Sequence, residues 1–183
     1  RPGTQRPRRA QSGPAVRRPA RRSQSWGWRG LNSFFGAHCF GERVHGKGTA
    51  GFFLDAGEPP VCISFGSMVN RDAERIDSIV RSALKKTSNR GIVLSGWGQA
   101  KNNSSNDMFY LDAVPHDWLL PQCKMIIHHG GAGTTSAGLR AGIPNVVVPF
   151  TADQPFWGKR IHAVGAGPKP VYVNRISVEN LTK

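Results

Sequence analysis

The stretch Ile126–Gln154, IIHHGGAGTTSAGLRAGIPNVVVPFTADQ, constrains the fold more than any other part of the chain. An apolar run, Met125-Ile126-Ile127, is short enough for a buried strand. A glycine-rich turn follows, His128-His129-Gly130-Gly131-Ala132-Gly133, then Thr134-Thr135 and a small-residue helix pattern. That helix should stop near Gly142, where Gly-Ile-Pro breaks it. A second apolar run, Val146–Val148, leads to Pro149 and the polar pair Asp153-Gln154. Strand, turn, helix and strand make a βαβ unit, which gathers its functional loops at the carboxyl ends of parallel strands. The turn suits an anion. Glycines let the main chain approach a ligand closely, and the free amides of a helix start carry partial positive charge. Thr134 and Thr135 add hydroxyl donors, and His129 can donate from a ring nitrogen. The chemistry is that of a diphosphate seat.

The rest of the chain divides by composition. Residues 1–50 hold eleven Lys and Arg against one acid, Glu42, whereas residues 51–183 hold fourteen against ten. Residues 1–25 have almost nothing to bury and should be disordered. They could bind RNA, DNA or an anionic surface, although a solvated tail is the plainer reading. The leader also resembles a transit peptide, but its prolines break helical spacing. Residues 26–50 contain aromatics without a period. Within them Gly41–Gly48 nearly spells a Walker A loop, but it lacks the Ser/Thr that would bind magnesium and is read as chance. Cys39, Cys62 and Cys123 are odd in number and lack CxxC spacing, which argues against a disulfide framework or zinc site and fits a reducing compartment. No apolar run approaches the ~20 residues of a membrane span. Because the chain begins with arginine, it is expected to be a piece of a longer protein.

From residue 51 onward the pattern is globular. Val61–Phe65 reads as a buried strand, with Gly66-Ser67 making the turn after it. Residues 71–86 form an amphipathic helix, with Ile76, Ile79, Val80, Ala83 and Leu84 at helical spacing. Gly91–Ser95 and Phe109–Leu111 read as strands separated by a polar loop at 98–107. A last helix lies within Ala152–Gly167, Pro170–Val173 is expected as an edge strand, and Ser177 is expected to cap a final helix. This alternation predicts an α/β fold, a parallel sheet with helices on both faces over residues 51–183, preceded by a disordered basic segment over 1–50.

With HHGGAGTT preceded by PHDWLLPQC and followed by GIPNVVVPFTADQPFWGKR, the sequence resembles the donor-binding half of sterol 3-beta-glucosyltransferases, within the UDP-sugar glycosyltransferase family. ISFGSM at Ile63–Met68 is similar to that family's first strand and turn of the C-terminal domain. The likeness runs over about Val61–Lys183 and implies that residues 51–183 are the second, Rossmann-like domain of a GT-B enzyme, with a remnant of its linker within residues 1–50. It implies that Ser67, His129 and the amides of Gly131, Ala132, Gly133 and Thr134 surround a diphosphate, with the Thr134 hydroxyl assisting. Main-chain groups of Val114 would meet uracil, and Asp153 and Gln154 the sugar. The donor would be UDP-glucose, with no metal and no other cofactor. The acceptor would be a sterol or other lipophilic alcohol bound by an N-terminal domain. A cytoplasmic location with peripheral membrane association would follow, and nucleic acid would be an unlikely partner. The alternative is a non-catalytic basic protein acting through residues 1–25.

The sequence departs from the family in several places. Ala113 replaces a tryptophan that stacks on uracil in many plant members, Ala137 a ribose-binding glutamate, and His116 the neighbouring glutamine; Trp118 is read as packing, and His128 as a core or supporting residue. The family's catalytic base is a histidine early in the N-terminal domain. His38 and His45 lie in unpatterned sequence and are not assigned that role, so the catalytic residues are expected to be absent. GFFLDAGEPPVCISFGS resembles two family segments joined with a helix deleted between them.

Overall fold

A computed structural model of the chain describes residues 47–66, 73–94 and 105–183. Ser67, His38, His45, Cys39, most of the Walker-like stretch, the expected disordered leader and most of the 98–107 loop lie outside the described residues.

Five parallel strands form one sheet: β1 (Val61–Ser64), β2 (Gly91–Leu94), β3 (Met108–Leu111), β4 (Met125–His128) and β5 (Asn145–Val147), in the order β3-β2-β1-β4-β5. β1 is central and buried along its whole length. That is why VCIS carries no polar alternation of the kind that marks a strand with one wet face. The register pairs Ser64 with His128 and His128 with Val147, so β1, β4 and β5 end level with one another. The chain moves outward from β1 through β2 to β3, then returns to β4 on the opposite side of β1. The order therefore reverses between β1 and β4, which is where parallel α/β sheets open a crevice.

Apolar side chains divide between the two faces. On one, Cys62, Ile92, Leu94, Leu111 and Ile126 pack with Ala50 and Phe53 of helix α1 (Lys47–Asp55), Leu119 of α3 (His116–Leu119) and Ala137 of α4 (Ala132–Arg140). On the other, Val61, Ile63 and Ile127 pack with Ile76, Val80 and Leu84 of α2 (Ala73–Lys86) and with Ile176 and Leu181, the latter in α6 (Val178–Leu181). Helix α2 forms as its pattern predicts: the buried residues fall at i, i+4 and i+8, Glu74 lies in the first turn, and Lys85 and Lys86 lie in the last. Asp77 joins it to the sheet by accepting from Arg81 Nε at 2.7 Å and from the Tyr110 hydroxyl at 2.9 Å.

Helix α1 has no counterpart among the expected elements. Its anchor is tertiary: the Phe53 ring stacks on Phe109 at 5.4 Å, and the Arg90 guanidinium lies 4.0 Å over the Phe53 ring and donates to the Phe53 and Glu58 carbonyls. The expected edge strand at Pro170–Val173 does not form. The Val171 and Val173 amides donate to the Val147 and Pro149 carbonyls at 3.1 and 3.2 Å. A parallel ladder would then require residue 149 to donate back to Val171, and Pro149 has no N–H. Residues Val173–Arg175 turn into a short 3-10 helix instead. Ser177 caps α6 as expected, in a reciprocal capping box with Asn180.

Helix α4 is built of small residues because it lies close against β5. A Cβ on Gly138 would overlap the buried Asn145 amide, whereas one on Gly133 would meet nothing within 4 Å. Gly138→Ala is expected to destabilise the fold by about 1–3 kcal/mol. Gly133→Ala should be neutral or slightly stabilising, and urea denaturation midpoints of the two variants check the contrast.

Candidate donor-binding site

Three loops meet at the carboxyl ends of β1, β4 and β5. The first carries Phe65 and Gly66, the second His129–Gly131, and the third Pro149–Asp153. Phe65 packs edge-on against Phe150 at 5.7 Å, joining the first loop to the third. His129, half-buried, fills the space between the first two: a Cβ on Gly66 would come within 3.1 Å of its Cε1, and one on Gly131 would overlap its Nε2. Gly130 joins the second loop to the third. Its φ of +92° is a backbone state that favours glycine, and a Cβ there would meet Val147 Cγ1 at 2.7 Å and the Gln154 carbonyl at 3.0 Å.

The turn delivers the chain into α4 with an unfilled first turn. Gly131 is the N-cap and offers no side chain, and the first hydrogen bond inside the helix is Thr135 N–H to the Gly131 carbonyl at 2.9 Å. Among the described residues nothing accepts from the amides of Ala132, Gly133 and Thr134. Three aligned donors at the positive end of a helix dipole form an anion seat. The predicted residues His129, Gly131, Ala132, Gly133 and Thr134 are thus brought together.

His128 supports the turn from below. It is fully buried, and its Nδ1 accepts from the Gly130 amide at 3.1 Å. That bond puts the ring proton on Nε2. Among the described residues this Nε2 makes no hydrogen bond of good geometry, nor do Asn145 Oδ1, Thr135 Oγ1, His129 Nδ1 and His116 Nε2, although the Asn145 side chain lies near enough to His128 to act on it. Burial pushes His128 down to about 4; the neighbouring rings of His129 and His116 act in the same direction, while the Asn145 side chain opposes them. His129 is also lowered, first by burial, with the Ser64 main chain and Asp153 opposing. His116 is lowered by burial and by Arg140, against Asp117. All three rings therefore favour the neutral form, and His129 can serve an anion as a hydrogen-bond donor without carrying a full charge.

Of the two residues expected to meet a sugar, one is buried and the other exposed. Gln154 is buried, and its Oε1 accepts from the amides of Phe150 and Thr151 at 2.8 and 3.1 Å. It holds a tight turn in which Ala152 takes a φ of +55°, and only its Nε2 is left to face a ligand. Asp153 is exposed, and its Oδ2 accepts from Trp157 Nε1 at 2.9 Å. Val114 sits on the loop after β3, at the same end of the sheet, half-buried against the Leu119–Leu120 core. Trp118 packs against that same core. The sequence reading missed the supporting roles of Asn145 and Trp157. Asn145 was visible as a lone amide opening an apolar strand, and Trp157 as a donor one helical turn beyond Asp153. Cys62 and Cys123 are buried free thiols. No group of three His, Cys, Asp or Glu among the described residues could hold a metal ion, and no described helix is long and apolar enough to cross a membrane.

Residues 98–178 match the family described as erythromycin biosynthesis protein CIII-like, C-terminal domain. Two sterol 3-beta-glucosyltransferases of Arabidopsis thaliana, UGT80A2 and UGT80B1, are 50% and 47% identical over 131 and 133 residues, or 70% and 71% of this chain. The chain carries the C-terminal domain of a GT-B glycosyltransferase. The solved structures agree on the fold. Arabidopsis thaliana UGT89C1 complexed with UDP superposes with a TM-score of 0.61 at 18% identity, over 78% of this chain and 38% of that one. The glycotransferase of kitacinnamycin gives 0.59 at 21% identity, over 69% of this chain and 34% of that one. This GT-B domain spans about one-fifth of the length of the two plant relatives, 21% and 22%.

The neutral His128 has a consequence for stability. Its folded value, about 4, lies below the ordinary 6.5, so as pH falls the unfolded chain takes up a proton first. The resulting stabilisation is complete above about pH 6.5 and is lost on the way down to about pH 4; it amounts to about 3 kcal/mol. His116 and His129 act in the same sense. Urea midpoints measured from pH 7.5 to 4.5 should fall steadily, and a flat profile would contradict a buried neutral His128.

Proposed function

We propose that this domain is the nucleotide-sugar half of an inverting glycosyltransferase that uses UDP-glucose and glucosylates a hydroxyl of a sterol or another lipophilic acceptor. The uncapped start of α4, facing the β1–β4 crevice, carries the reading. When the glycosidic bond to the donor breaks, negative charge develops on the departing diphosphate. Donors already oriented toward it stabilise that charge without reorganising. The amides of Gly131 to Thr134, the Thr134 hydroxyl, neutral His129 and Ser67 would supply them, and this set needs no metal. Val114 would offer main-chain bonds to uracil, and Asp153 with the Gln154 Nε2 would take the hexose hydroxyls.

Several elements of the reading come from the relatives' names and from composition. Residues 51–183 would form the donor domain together with the start of α1, whose Ala50 packs in its core, and the residues before α1 would be a basic segment. The acceptor's class follows from the sterol enzymes named above, and a lipophilic acceptor favours a cytoplasmic protein working at a membrane surface. The base that deprotonates the acceptor would come from outside this chain, so the chain alone would bind donor and transfer nothing.

Calorimetric titration of the full chain tests the reading. UDP and UDP-glucose should bind with dissociation constants at or below about 1 mM. Gly131→Ala, whose new methyl displaces His129, should weaken UDP at least about tenfold, a loss of ~1.4 kcal/mol, while retaining the far-ultraviolet circular dichroism of the parent. A folded chain that ignores UDP at that concentration would refute the proposal. Glucoside formed from a sterol by the chain alone would refute its dependence on an outside base.

A further inference from the structure

We propose that Trp157 is a positioning residue for sugar selection, its indole N–H fixing the Asp153 carboxylate so that the remaining oxygen lone pairs face the hexose. The inference rests on the reading that Asp153 meets the sugar and adds a residue one turn away from it.

Asp153 occupies the N-cap of α5 (Gln154–Ala163), where an aspartate ordinarily turns its carboxylate inward to accept a main-chain amide from N2 or N3. Here it makes no such bond. The sequence explains why. N2 is Pro155, which has no N–H, and the N3 amide, that of Phe156, is already bonded to the Asp153 carbonyl at 3.0 Å. The carboxylate is thus left without its usual local partner. Trp157, four residues on, supplies one: Nε1 donates to Oδ2 at 2.9 Å. An indole has a single donor and no acceptor, so this bond is directional and unambiguous. The ring is braced by the edge of Phe156, with centroids 5.3 Å apart and planes at 78°.

The consequence is chemical. With Oδ2 engaged from the helix side, Oδ1 and the second lone pair of Oδ2 remain as acceptors on the exposed side. Two acceptors held in a fixed orientation suit a vicinal pair of sugar hydroxyls and distinguish an equatorial from an axial partner by direction. A carboxylate free to rotate would accept from either. Asp153 and His129 follow the carboxyl ends of the paired strands β5 and β4, so both lie at the same end of the sheet.

The test uses the full chain and three probes, UDP, UDP-glucose and UDP-galactose, titrated into wild type, Trp157→Phe and Trp157→Gln. In wild type UDP-glucose should bind more tightly than UDP-galactose. Trp157→Phe keeps an aromatic ring and removes the donor. It should leave UDP affinity within about twofold and cut the glucose-to-galactose preference about fivefold, the scale of one net hydrogen bond. Trp157→Gln restores an N–H at the same spacing and should recover part of the preference. An unchanged preference in Trp157→Phe would overturn the inference, and so would equal losses for all three probes, which mark a purely structural role. A wild-type chain with no UDP binding would overturn the functional reading itself, whereas UDP binding without any glucose preference would overturn only the role given to Asp153 and Trp157.

Discussion

The site depends on three main-chain amides at the start of α4 being kept empty. A helix N-terminus normally acquires a side-chain cap, and a Ser, Thr, Asp or Asn at position 131 would supply one. Gly131 cannot. It also leaves room for His129, which in turn packs under Gly66. The main chain at Gly130 could escape this geometry only by abandoning its φ of +92°, and His128 Nδ1 holds its amide in place from within the core. The glycines, the two histidines and the uncapped helix therefore form a single mechanical unit, set at the point where the strand order reverses.

The electrostatic design is consistent with that unit. Nothing acidic lies in the first turn of α4, so the helix dipole is not neutralised locally and remains available to an external anion. His129 is held toward its neutral form by burial. The turn thus offers directed donors from residues that are half-buried at Gly131, Ala132 and Thr134 and exposed at Gly133. The neighbouring corner is stiffened differently: buried Gln154 knots the turn at Phe150 and Thr151, so that Asp153 emerges from a rigid base.

Much of this was legible in the sequence. β1, β4, β5, α2, α4 and α5 announce themselves through apolar period and through Gly and Pro at their ends, and those are local signals. The parts that were not legible depend on distant partners. Helix α1 is short, and it is held by Arg90 and Phe109 from other elements. Residues 170–173 have a strand's composition but meet a proline where a donor is needed. Gln154 was expected at the sugar from the family resemblance alone, and no sequence pattern reveals that its oxygen is committed to main-chain amides. The turn that brings His129, Gly131, Ala132, Gly133 and Thr134 together was legible because glycine spacing and a helix start are themselves local signals.

The most direct measurement is a two-dimensional ¹⁵N–¹H spectrum of the labelled chain during UDP addition. The account predicts saturable shifts largest at the amides of Ala132, Gly133 and Thr134, with smaller ones at Gly66 and Gly130. Shifts confined to other surfaces, with those three amides unmoved, would contradict it.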